Sequence, residues 1–205
     1  MIGLNRDGGL WTATIARAHK ANSLTAEMLE TLADFAEEAT HAARALVLTG
    51  EGKVFSAGAD LDDARAGLAT SPLWERLSGA IAGAPILTIA ALNGTLAGGA
   101  FGMALACDLR LAVPGAKFFY PVMKLGFLPQ PSDPVRLAAL VGPARAKMIL
   151  MAGQKIEAEE ALAWGLVDRI VAPDALDETV AALAADALAA EAPLVAGIKR
   201  MIPDG

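Results

Sequence analysis

Between Ile86 and Cys107 the chain carries no charged residue, and four glycines (Gly94, Gly98, Gly99, Gly102) interrupt the run. Such a stretch passes the ~20-residue rule for a membrane span. Its punctuation argues against one: Asn93-Gly94 is a turn signal, the glycines weaken a helix, and no basic cluster flanks the segment. A membrane-associated chain is the competing reading. The preferred one is a buried strand from Ile86 to Leu92, a turn, and a small-residue helix from Gly98 to Leu105. A strand without polar alternation must be covered on both faces, which points to parallel strands under helices.

The rest of the chain fits that plan. Leu10 to Ala16 alternates like a strand. Thr25 caps a helix through Thr40, with Met28, Leu29, Leu32, Phe35 and Ala36 at helical spacing. Ala45 to Leu48 and Leu109 to Val113 read as strands, and Ser71-Pro72 opens another helix. Asp60 to Thr70 reads as a polar, mobile segment. From Val135 onward the pattern is helical, with one strand-like stretch at Val167 to Val171. At 205 residues and 55% hydrophobic content, this is enough for one α/β domain over 1–205, with a core to about residue 142 and a helical part from about 143.

The net charge of −6 argues against nucleic acid, which needs a basic stripe. An anionic ligand would rest on local Lys or Arg and on backbone dipoles. Cys107 is the one cysteine, so no internal disulfide forms and the cytoplasm is the natural compartment. The segment Met1 to Asp7 lacks the pattern of a signal peptide. His19 and His41 have no metal-ligand spacing, and no metal site is expected.

Two segments carry chemistry: Phe55-Ser56-Ala57-Gly58-Ala59-Asp60-Leu61 and Asn93-Gly94 through Gly102. Each follows an apolar run and offers backbone N–H groups beside small residues. Two such donors, one per strand end, would stabilise an enolate or tetrahedral oxyanion. Tight turns with close helix packing would look the same in sequence. The glycine spacing is not a dinucleotide fingerprint.

These segments, with Arg17-Ala18-His19-Lys20-Ala21-Asn22-Ser23-Leu24, Ala116-Lys117-Phe118, Leu125-Gly126 and Ala161-xx-Trp164-Gly165-Leu166-Val167, resemble the enoyl-CoA hydratase/isomerase (crotonase) superfamily. The resemblance runs in family order from about residue 10 to 200. It implies a spiral of ββα units with a C-terminal helical part, assembled as a homotrimer or dimer of trimers. It implies an acyl-CoA thioester as partner, coenzyme A being part of the substrate and no cofactor being permanently bound. The N–H groups of Ala59 and Gly99 would form the oxyanion hole. Lys20, Ala21, Ala57, Asp60 and Leu61 would line the CoA path, with Gly58 and Gly98 beside them.

The departures are equally specific. The hydratases' two glutamates correspond here to Gly102 and Val122, which move no proton. The stretch Phe118 to Gln130 is nearer the Δ3,Δ2-enoyl-CoA isomerase branch, whose single glutamate corresponds to Gln130. Asp133 is the candidate replacement, although Asp133-Pro134 also has the form of an N-cap followed by proline. Tyr120 is a candidate donor or a half-buried strand residue. Asp62 and Asp63 are candidates for swinging inward or, more simply, a solvated loop. Family members commonly continue for another helical segment, so a more open pocket or altered subunit packing is expected here. Two functions stay open: an acyl-CoA enzyme performing hydration, isomerisation or hydrolysis, and a non-catalytic acyl-CoA binder or structural subunit.

Overall fold

The computed structural model describes residues 1–202. Its strands are β1 (Ile2–Asp7), β2 (Leu10–Ile15), β3 (Ala45–Gly50), β4 (Val54–Ser56), β5 (Leu87–Leu92), β6 (Thr95–Ala97), β7 (Leu109–Ala112), β8 (Lys117–Phe119), β9 (Ile156–Glu157) and β10 (Arg169–Ile170). Its α-helices are α1 (Ala26–Ala42), α2 (Leu61–Arg65), α3 (Leu73–Gly83), α4 (Phe101–Leu105), α5 (Val122–Leu125), α6 (Asp133–Val141), α7 (Pro143–Leu150), α8 (Ala158–Trp164), α9 (Leu176–Ala189) and α10 (Ala192–Met201).

A six-stranded sheet runs β1-β2-β3-β5-β7-β10, and a four-stranded one runs β4-β6-β8-β9. The hairpin β1–β2 is antiparallel, and the large sheet is parallel from β2 onward. In the pairs β3/β4, β5/β6 and β7/β8, the first strand lies in the large sheet and the second in the small one. Helical segments then return the chain. This is the expected spiral of ββα units.

Local chemistry explains the elements. The Thr25 side chain accepts from Met28 N–H and starts α1, whose Leu29, Leu32 and Phe35 are buried. Phe35 stacks on Trp11 of β2 at 5.2 Å between ring centroids. Burying each of these large side chains contributes about 1.5–3 kcal/mol. The uncharged run becomes β5, β6 and a 3-10 turn (Gly98–Ala100) leading into α4. The short strand β6 was not expected. No single helix among the described residues is long and apolar enough to cross a membrane.

The polar segment Asp60 to Thr70 carries regular structure. It folds into α2 and a 3-10 turn (Leu68–Thr70). Asp60 caps α2 by accepting from Asp62 N–H, and buried Leu68 accepts from Trp74 Nε1 through its carbonyl at 2.8 Å.

Cys107 is buried just beyond α4, and burial pushes its thiol up to about 12. Native protein is therefore expected to resist thiol reagents at pH 8 and to react only after unfolding. Rapid labelling of native protein would show that this region opens readily.

Candidate active site

The two glycine-bearing segments meet. Gly58 has φ +88° and Gly98 has φ +60°, left-handed values that favour glycine. A methyl on Gly58 would lie 3.0 Å from the Ala97 carbonyl oxygen and 3.3 Å from both Gly98 Cα and Gly99 N. One on Gly99 would meet the Trp74 ring at 3.2 Å. The backbones touch because both segments lack side chains at these points.

Each segment presents a backbone donor. Leu24 donates to Gly58 O and accepts from Asp60 N–H, each at 2.8 Å. Ala59, paired between them with Leu24 in a parallel bridge, therefore turns its own N–H the other way. That N–H has no acceptor among the described residues. Gly99 is the second residue of its 3-10 turn, where no carbonyl of the same helix is within register. Both residues are partly exposed, so a ligand can approach.

The first motif holds this arrangement from beneath. Arg17 Nη1 reaches Asp60 Oδ2 at 2.8 Å and also donates to Ser23. That guanidinium, with the Asp62 N–H, holds the Asp60 carboxyl below its usual range. Buried Asn22 donates to Glu51 O and Val54 O, while its own carbonyl accepts from Ser56 Oγ. Ser56 Oγ in turn accepts from Gly58 N–H at 3.2 Å. Arg17, Asn22 and Ser56, motif residues outside the expected CoA contacts, thus support the first segment.

The Asp133 carboxyl lies against Gly102, the first of the two glutamate positions. Gly102 lies three residues beyond Gly99, one helical turn along the same face. A methyl on Gly102 would be 2.8 Å from Asp133 Oδ1. The carboxyl of α6 therefore occupies the space into which a side chain at position 102 would begin to grow. Asp133 is 1% exposed. Its Oδ2 accepts from Tyr120 O–H at 2.9 Å, and Oδ1 has no hydrogen-bond partner among the described residues. Burial raises the carboxyl to about 7, with the Glu75 charge adding to the rise and Tyr120 and Arg136 opposing it. The N-cap expectation is overturned: Asp133 is the first residue of α6, flanked by Ser132, and its side chain caps nothing.

Tyr120 is buried, not half-buried; it stacks on Phe101 at 5.5 Å, and burial beside Asp133 pushes its phenol up. Gln130 is also buried, and its Nε2 donates to Ala69 O at 3.0 Å. A carboxylate there would face that carbonyl, so amide chemistry suits the position. Val122 is buried at the start of α5. Lys20, Ala57 and Leu61 are exposed around the two segments, and Ala21 O accepts from Ala57 N–H at 3.0 Å. Asp62 pairs with Arg65, and Asp63 accepts from Ala26 N–H at the start of α1. Both are held by these local contacts in this structure. His19 and His41 are exposed. A cavity of about 690 Å³ lies apart from this site, lined in part by Cys107, Leu140, Leu183 and Leu194; neither glycine-bearing segment nor Asp133 contributes to its walls.

Comparison with known proteins adds a chemical context. The sequence profile described as enoyl-CoA hydratase/isomerase matches residues 5–202. A Mycobacterium leprae protein named "probable enoyl-CoA hydratase" is 36% identical, over 83% of this chain and 71% of its own length. A 4-chlorobenzoyl coenzyme A dehalogenase of an Arthrobacter species is 33% identical over 100% of this chain and 78% of its own. Among solved structures, an enoyl-CoA hydratase from Bacillus anthracis superposes with a TM-score of 0.89 at 30% identity, covering 97% of this chain and 81% of that one.

Proposed function

This chain belongs to the enoyl-CoA hydratase/isomerase family of acyl-CoA enzymes, and from that premise we propose that it shifts a double bond in an enoyl-CoA thioester, using Asp133 as its proton carrier. The Ala59 and Gly99 N–H groups grip the thioester oxygen. The Asp133 carboxylate removes a proton from the α-carbon, and the electron pair moves through the carbonyl to give an enolate held by those two donors. The same carboxyl returns its proton at the γ-carbon. A double bond between the β- and γ-carbons thereby becomes one between the α- and β-carbons, with atoms and charge balanced.

The observation that carries the reading is the unpaired Asp133 oxygen beside Gly102. One carboxyl suffices for a proton shift between two carbons. Hydration needs a base for water and an acid for carbon, and Val122 and Gln130 provide neither. A carboxyl near 7 is poised to exchange its proton around neutral pH. Lys20, exposed near the first segment, is the proposed contact for CoA phosphate.

Purified protein mixed with 3-enoyl-CoA and 2-enoyl-CoA esters tests this. Conversion of the 3-enoyl to the 2-enoyl ester, without hydration, is expected. Formation of 3-hydroxyacyl-CoA would replace isomerisation by hydration. Binding without turnover on either substrate would favour the non-catalytic binder. Tyr120→Phe removes the hydrogen bond that stabilises the carboxylate, so the low-pH limb of its rate profile should move to higher pH. An unchanged midpoint would detach Tyr120 from the reaction.

A further inference from the structure

The start of α6 is capped from another element. Ser132 N–H and Ser132 Oγ–H both donate to Glu75 Oε1 of α3, at 3.2 and 2.8 Å. Ser132 Oγ accepts from Arg136 Nη1 at 2.8 Å, so the hydroxyl bridges the two charges. Ser132 makes no cap bond to the helix with its own side chain, and Asp133 N–H is already used on Gln130 O. A helix start ordinarily attracts the nearest carboxylate, both for its free N–H groups and for its partial positive charge. The nearest here is Asp133, which instead points inward at Gly102.

We infer that Glu75 is a positioning residue: by capping α6 from across the α3–α6 junction, it fills the place that the Asp133 carboxyl would otherwise take and keeps that carboxyl turned toward Gly102. Its functional consequence rests on Asp133 being the proton carrier. The charged and titratable groups around Asp133 are Tyr120 beyond β8, Glu75 on α3 and Arg136 on α6 itself. Neighbouring α4 contributes apolar residues and Gly102. Glu75 therefore has two separable effects. As an acceptor it fixes geometry, and as a negative charge it favours the protonated form of Asp133.

Glu75→Gln keeps the acceptor and removes the charge, whereas Glu75→Ala removes both. The ¹³C resonance of the Asp133 carboxyl, identified by its loss in Asp133→Asn, is titrated in wild type and both variants, alongside kcat on 3-enoyl-CoA. In Glu75→Gln the titration midpoint should fall while kcat at its optimum stays within about threefold. In Glu75→Ala the carboxyl should be released toward the helix start, its midpoint falling to the ordinary carboxylate range and kcat dropping at least ~10-fold, as expected for a misplaced reacting group. Ser132→Ala, which leaves only the backbone donor, should fall between wild type and Glu75→Ala.

An unchanged Asp133 titration in Glu75→Ala would overturn the inference. Equal losses of kcat in Glu75→Gln and Glu75→Ala would overturn the acceptor role. Retained turnover in Asp133→Asn would instead reject the catalytic reading, and the carboxyl titration would still report the positioning effect separately.

Discussion

Replacing Asp133 by Asn should abolish most turnover and stabilise the protein at alkaline pH. Loss of a positioned acid-base group typically costs 10²–10⁴ in rate. Asn keeps the shape and can still accept from Tyr120, so affinity for the CoA ester should be little changed. The stability effect follows from proton linkage. Asp133 has its folded-state value raised from 3.8 to about 7, so between these values the folded form holds a proton that the unfolded form has lost. Stability attributable to this carboxyl is therefore lost as pH rises through that window, by roughly 4 kcal/mol at its upper end. The Asn variant lacks this pH dependence. Denaturant melts at pH 5 and pH 8 should show the two proteins diverging mainly at pH 8. Full activity in the variant, or parallel melts at both values, would remove Asp133 from its proposed role.

Gly58→Ala tests the other half of the site. The substitution forces a non-glycine residue to φ +88° and puts a methyl 3.3 Å from Gly99 N, against a second contact at 3.0 Å with Ala97 O. Since both neighbours are backbone, relief requires the two segments to separate. Losing alignment of one oxyanion donor costs about 3–4 kcal/mol of the barrier, so kcat should fall 10²–10³-fold. Gly67→Ala is the matched control, with φ +110° and nothing within 4 Å of the added methyl. It carries a backbone cost without disturbing the donors. Equal losses of activity in both variants would point to general destabilisation; near-normal kcat in Gly58→Ala would argue against the oxyanion geometry.

The strands that were legible in sequence are those with enough apolar residues to demand a core. β2, β3, β5 and β7 met that condition. The short strands β4, β6 and β9 did not, because two or three residues become a strand only when a neighbouring strand supplies their hydrogen bonds. β1 is mostly exposed, yet Asp7-Gly8-Gly9 before Leu10 was a hairpin signal that could have identified it. The two glycine segments were legible because glycine marks close backbone approach. Asp133 was visible only as one of two alternatives. Its Asp-Pro sequence imitates a cap, while the residue that actually caps α6 lies 57 positions away from Ser132. Gly102 showed that a side chain was missing, but not that another element had filled its place.

In the proposed mechanism Asp133 moves protons at substrate carbon in the space beside Gly102. Solvent-deuterium exchange at the α-carbon of an acyl-CoA thioester measures that step without requiring a complete reaction. Wild-type protein should incorporate deuterium, with a rate that rises as pH passes through about 7. The Asp133→Asn variant should bind the same thioester and exchange at least ~10²-fold more slowly. Wild-type exchange that persists undiminished in Asp133→Asn would contradict the account.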